Sequence, residues 1–237
     1  MEPLREDCFN ALANMESEQD LFDQMAKIAR SLGFEYCAYG IRMPVPISQP
    51  KIAVFSNYPG TWQRRYLERG YLQIDPTVQH ALRSSIPLIW SDDIFAATPE
   101  LWEEARGHGL RVGWAQAARD GSGAVGLLTL ARGSDAISAE ELALNQARMS
   151  WLAQYSHIAM AHLLAPRLAP EMAVSLTLRE KEILRWTAEG KTSYEISQIL
   201  SIAERTVNFH VNNVMSKLGC TNKTQAAVKA AALGLLV

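Results

Sequence analysis

The chain has 237 residues, 48% of them hydrophobic, and a formal net charge of −2. That length holds one domain of about 150 residues plus a small one. The three cysteines, Cys8, Cys37 and Cys220, are unevenly spaced and odd in number, which argues against a disulfide framework or a zinc site, so reduced thiols and no metal are expected. No run approaches the ~20 apolar residues that a membrane helix needs, and the start, Met-Glu-Pro-Leu-Arg-Glu-Asp, lacks the charged-then-apolar layout of a secretory signal; a cytoplasmic protein with no membrane span is expected.

In chain order, residues 3 to 32 read as helical, with Leu21, Met25, Ile28 and Leu32 at helical spacing and Gly33 ending the run. Five short segments follow that are partly aromatic or β-branched and bounded by Gly, Pro or polar residues: 36–41, 51–56, 88–90, 113–118 and 126–131. Helices are expected between them at 61–69, 76–83 and 99–108, and a capping box at Ser138-x-x-Glu141 opens a long helix to about Leu164. The fold class is therefore α+β, with helices on both faces of a mostly antiparallel sheet, an α-β-α sandwich over residues 1–165.

Aromatic residues with polar tips gather in the middle of this domain: Tyr58, Trp62, Tyr66, Trp90 and Trp102, with Asp75 among them. Trp62 and Tyr66 are i and i+4, on one helix face. Such side chains can enclose an apolar ligand while each keeps a donor for its polar head. A buried Asp would be costly without a partner, and a ligand amide N–H would supply one. Each has a plainer role too: Trp90 and Trp102 as core, and Asp75-Pro76 as an N-cap followed by proline at the first helical position. A carboxylate has about four acceptor sites, so the two roles of Asp75 are compatible.

Residues 166–173 contain Pro166 and Pro170 and little periodicity, and read as a linker. Beyond it, Thr177-x-x-Glu180 and Thr192-x-x-Glu195 are successive capping boxes, opening a helix that stops at Gly190 and a short second one. A turn at Leu200-Ser201-Ile202 leads to a third helix from about Ala203 to Leu218, and a fourth runs from about Asn222 to Leu233. Two helices joined by a tight turn make a helix-turn-helix, so residues 174–237 are expected to form an all-α, four-helix DNA-binding domain. Val207, Val211, Val214 and Leu218 form one stripe of the third helix; Arg205, Asn212 and Ser216 project from the other side, flanked by Asn208. Arg can bond guanine and Asn adenine edges in the major groove. Phe209 lies on that outer side, where burial gives no reason for an aromatic. Residues 171–237 carry a net +2 and the rest −4, too small a split for strong nonspecific binding; a specific site held by two copies is favoured.

The run from Leu176 to Ser193, Glu195-Ile196 and Arg205-Thr-Val-Asn-Phe-His-Val-Asn-Asn213 resembles the C-terminal domain of LuxR-type transcription regulators. The resemblance implies base contacts from Arg205, Asn208 and Asn212, and phosphate contacts from Trp186, Lys191, Thr192 and Thr206. Upstream, the segment 57–66, Ile74-Asp-Pro76, Pro87-Leu-Ile-Trp90, Leu101-Trp-Glu-Glu-Ala105 and Gly109-Leu-Arg-Val-Gly113 resemble the autoinducer-binding domain of acyl-homoserine-lactone receptors. There the resemblance implies that Trp62 donates to a lactone carbonyl, Asp75 accepts the amide N–H, Tyr58 donates to the amide carbonyl, and Tyr66 and Trp90 wall the pocket. Ala38 and Thr129 fall where family members differ, near the start of the acyl chain. The implied protein is a non-enzymatic quorum-sensing regulator that needs no cofactor. It binds an N-acyl-homoserine lactone and, as a homodimer using the helix from Ser138, a palindromic double-stranded DNA site, with RNA polymerase as a further partner left open. Against an enzyme stands the absence of a nucleophile elbow, and His157 and His162 do not make His-Glu-x-x-His. A phosphorylation-controlled regulator would need a receiver pattern that residues 33–60 lack.

Overall fold

The structure, a computed structural model, describes residues 15–236. The chain forms two compact units. One takes in residues 15–42, 52–120 and 124–164; the other takes in 43–51, 121–123 and 165–236.

In the first unit, helix α1 (Glu18–Ser31) starts later than the run of apolar spacing suggested. Ser17 has extended backbone and its hydroxyl accepts from Asp20 N, so it is an N-cap and the expected helix cannot continue back through it. The rest of that expected helix, residues 3–14, lies outside the described residues. The strands are β1 (Tyr36–Arg42), β2 (Ile52–Ser56), β3 (Leu88–Ile89), β4 (Val112–Arg119) and β5 (Val125–Arg132). They form one sheet in the order β2-β1-β5-β4-β3, with every neighbouring pair antiparallel. Helices α2 (Gly60–Glu68), α3 (Pro76–Arg83), α4 (Pro99–Gly107) and α5 (Ala139–Leu168) complete the unit, and α5 runs on past it.

Register decides which side chains share a face, because successive residues of a strand alternate and directly opposed residues match. Ala38 pairs with Ser56 and Thr129, and Gly40 with Val54 and Leu127, so these six look toward one side. Cys37, Tyr39 and Ile41 look toward the other with Leu128 and Leu130, and all five are buried. That second side is covered by α1, whose Phe22 ring lies 6.0 Å from Phe55, and by α5, whose His157 Nδ1 is 3.0 Å from Tyr39 Oη. Gly126 makes the second contact attainable: a Cβ there would stand 2.5 Å from the His157 ring nitrogen. The first side is covered in part by α3, where Arg119 donates to Ala81 O at 2.6 Å. Helices thus lie on both faces, as expected.

The Ser138 hydroxyl accepts from Glu141 N at the start of α5, but the Glu141 carboxylate turns to Arg132 at 2.7 Å instead of closing the capping box. At its other end α5 carries Pro166 in its last turn and ends at Leu168, so the first residues of the expected linker are helical. A short 3₁₀ turn, Pro170–Ala173, follows.

The second unit contains α6 (Leu178–Ala188), α7 (Ser193–Leu200), α8 (Glu204–Leu218) and α9 (Lys223–Ala232). Both capping boxes are formed reciprocally, Thr177 with Glu180 and Thr192 with Glu195. Ser201 adopts the left-handed conformation that turns the chain from α7 toward α8. Ile183, Ile196, Val207 and Val211 make the core of the unit. Buried Glu180 accepts from Lys217 Nζ at 2.7 Å, pinning α6 to α8.

Candidate functional site

Between α2, α3, α4 and the Ala38–Gly40 side of the sheet lies a cavity of about 250 Å³ with a mostly apolar lining. Its polar end is assembled from three elements. Trp62 and Tyr66 come from one face of α2, their rings 5.7 Å apart edge to face, with buried Tyr71 packed on both. Asp75 comes from the start of α3, where it is the N-cap: Oδ1 accepts from Thr77 N at 2.8 Å and Thr77 Oγ1 at 2.7 Å. Its other oxygen, Oδ2, accepts from Tyr66 Oη at 2.9 Å. Tyr58 enters from the segment after β2, and its ring meets Tyr36 edge to face at 6.0 Å.

The electrostatics of this end follow from burial. Desolvation pushes the Asp75 carboxyl above its ordinary range, against the opposing pull of the hydrogen bonds from Thr77 and Tyr66. Burial also raises Tyr58 and Tyr66, reinforced by the nearby Asp75 charge, so both hydroxyls stay protonated donors. Tyr58 Oη is buried without a hydrogen-bond partner, and so is Trp90 Nε1. An acceptor facing Tyr58 and a donor facing the second oxygen of Asp75 would complete the set, and those are the two groups of one amide. The residues present therefore fit a ligand with an amide-like head and an apolar body.

Of the side chains expected at a ligand site, Tyr58, Trp62, Tyr66, Asp75, Trp90 and Thr129 line this cavity. Trp90 lies against Gly113, where a Cβ would come within 2.3 Å of the indole, so only glycine admits the ring there. Trp102 is the exception. Its Nε1 donates to Asp92 Oδ1 at 2.6 Å and its ring stacks on Phe95 at 4.6 Å, so it stands outside the lining and supports Phe95, which is part of it. The aromatic clustering could not separate a wall from its backing. Gly40, Val54 and Leu127 line the cavity beyond Ala38 and Thr129. Strand alternation from Ala38 would have found Gly40; the other two needed the register.

On α8, Val207, Val211, Val214 and Leu218 are buried, and Arg205, Asn208, Asn212 and Ser216 are exposed. Phe209 is 60% exposed, which a core role does not explain. Thr206 is half-buried, as are Lys191 at the end of the α6–α7 turn and Trp186, which packs against the core. Thr192 is exposed and its hydroxyl serves the α7 cap. Among the described residues no cluster of His, Cys, Asp or Glu is placed to hold a metal, and no helix is long and apolar enough to cross a membrane.

Residues 17–160 match the family described as autoinducer binding domain, and residues 174–230 match the family described as bacterial regulatory proteins, luxR family. The transcriptional activator protein SolR of Ralstonia nicotianae is 49% identical over 236 residues, with 100% of each chain covered. The HTH-type quorum-sensing regulator RhlR of Pseudomonas aeruginosa is 41% identical over 92% of this chain and 90% of its own. A crystal structure of Escherichia coli SdiA superposes with a TM-score of 0.84 at 39% identity, covering 99% of this chain and 98% of that one. A second SdiA structure, in complex with octanoyl-rac-glycerol, gives a TM-score of 0.83 over 98% of this chain and 95% of that one, also at 39% identity.

Proposed function

The chain belongs to the LuxR family of quorum-sensing transcription regulators, an autoinducer-binding domain followed by a helix-turn-helix DNA-binding domain, and from that premise we propose that its signal is an N-acyl-homoserine lactone. The observation that carries this reading is the polar end of the cavity, where a buried tyrosine hydroxyl without a partner and a carboxylate oxygen bonded once stand together over an apolar floor. The amide carbonyl accepts from Tyr58, the amide N–H donates to Asp75, Trp62 donates to the lactone carbonyl, and Thr129 stands where a 3-substituent would pass. Tyr66 holds the Asp75 carboxylate in position and walls the pocket with Trp90.

The activated form is a homodimer through α5, which exposes Leu144 and Ile158 and carries the Trp151–Tyr155 ring pair. Each DNA-binding domain presents Arg205, Asn208 and Asn212 to base edges and Trp186, Lys191, Thr192 and Thr206 to phosphates, on a palindrome with half-sites about one helical turn apart. The net charge of +2 over residues 171–237 is too small for one copy to hold DNA through phosphates alone.

A second reading keeps the site and changes the ligand. The SdiA structure with octanoyl-rac-glycerol makes a monoacylglycerol the competitor, since its hydroxyls can also donate to a carboxylate. Mass spectrometry of organic extracts decides between them, using protein expressed with a panel of acyl-homoserine lactones, with octanoylglycerol, or with neither. One retained lactone, with raised soluble yield, is expected. Retention of octanoylglycerol alone moves the assignment to acylglycerols, and no retained lactone removes it.

A further inference from the structure

Resting on the lactone reading above, we infer that Gly40 sets the reach of the pocket and that the signal carries a medium-length acyl chain whose end lies over this residue. The fold itself does not require this glycine. Gly40 sits in the middle of β1, hydrogen-bonded between β2 and β5, where glycine is destabilising relative to alanine because it is more flexible when unfolded and packs nothing. Its φ is not positive, so the backbone accepts any residue. A Cβ placed there would meet Val54 Cγ2 at 3.9 Å and Ala53 O at 4.0 Å, both ordinary contacts. Gly113 and Gly126 are different, since each makes room for a ring of the protein itself. What Gly40 makes room for is the cavity, which it lines.

The sheet register gives the cavity a length scale. Tyr36, whose ring meets Tyr58 of the polar end, pairs with Ala131, which pairs with Gly113; one step along are Ala38 and Thr129, and one step further are Gly40 and Leu127. Steps of two residues are roughly 7 Å apart along a strand. The lining includes both of these steps and stops before Arg42 and Val125. A short chain would end beside Thr129 and leave the Gly40 step unfilled, forfeiting the contacts that hold it. A chain of the octanoyl class reaches it. A side chain at position 40 would occupy the space of the last carbons.

The test compares butanoyl- and octanoyl-homoserine lactone binding by the full chain and by its Gly40→Ala and Gly40→Val variants, together with the melting temperature of each without ligand. Wild type is expected to prefer the octanoyl lactone. Gly40→Val should weaken that lactone by about tenfold or more while changing the butanoyl lactone little, on the scale that a methylene is discriminated in an apolar pocket. Gly40→Ala should give a smaller loss in the same direction, and its unliganded melting temperature should equal or exceed that of wild type. Unchanged octanoyl affinity in both variants would overturn the inference and leave the lactone reading standing. So would a lower melting temperature for Gly40→Ala without ligand, or a wild-type preference for butanoyl. Binding of neither lactone by wild type would overturn the two together.

Discussion

Asp75 holds two positions at once, helix cap and pocket wall, and its two oxygens divide the work. The division makes Asp75→Asn informative. The amide keeps an oxygen for Thr77 N and drops the charge that burial penalises, so unliganded protein should melt no lower than wild type. Ligand response should fall at least about tenfold, because the second position then presents an NH₂ to a ligand N–H. An unchanged dose response would remove Asp75 from the site. The pH dependence follows from the raised carboxyl: the stability linked to its proton is fully present below the unfolded value and is lost as pH rises through the folded one. The variant should lack that slope. Glu180 has the opposite sign. Burial raises its carboxyl, but Lys217 and the Thr177 cap outweigh burial and hold it below its ordinary range. Its contribution is present above the unfolded value and lost as pH falls through the folded one. Lys217→Met leaves a buried carboxylate short of a partner and should cost about 1–3 kcal/mol by urea denaturation at neutral pH, a deficit that shrinks on acidification. Equal stability of variant and wild type at neutral pH would show that the pair does not bind α6 to α8.

At the scale of elements, the sequence was most readable where a local chemical rule was strict. The reciprocal caps at Thr177 and Thr192 mark the starts of α6 and α7, Asp75-Pro76 marks α3, and the apolar stripe of α8 is buried as its spacing requires. Legibility failed where a distant partner intervened. Glu141 has the spacing of a capping box and gives its carboxylate to Arg132, and Trp102 has the look of a pocket wall and is backing for Phe95. Pro166 has the look of a break, yet it sits in the last turn of α5, which runs on to Leu168. The cavity floor depends on pairing between strands far apart in the chain, which alternation within one strand does not reveal. For α8 the exposed amides invite a direct test. Asn212→Ala removes no buried contact, so the fold and ligand retention should be unaffected, while operator affinity should fall by about 1–3 kcal/mol per half-site with relaxed preference at one base position. Equal operator affinity, measured by fluorescence anisotropy at fixed salt, would take Asn212 off the recognition surface.

The whole chain joins a sensor whose core contains a cavity to a DNA-binding unit whose core, Ile183, Ile196, Val207 and Val211, is made of its own helices. That difference predicts how the two should respond to the signal. In the sensor, Tyr58 Oη is buried without a partner and cavity walls lack atoms to pack against, so a ligand supplies both hydrogen bonds and dispersion contacts that the protein cannot make alone. Mass action converts this to stability: at a ligand concentration of 100 times Kd the folded sensor gains about 2.7 kcal/mol. For a domain of about 150 residues that corresponds to roughly 5–10 °C in melting temperature. The second unit has no share in the cavity, so its own transition should stay where it is. Calorimetry of the full chain with and without a retained lactone should resolve one transition that moves and one that does not. Equal shifts in both would mean that the units unfold as one, and that the ligand stabilises the DNA-binding helices as well as the sensor.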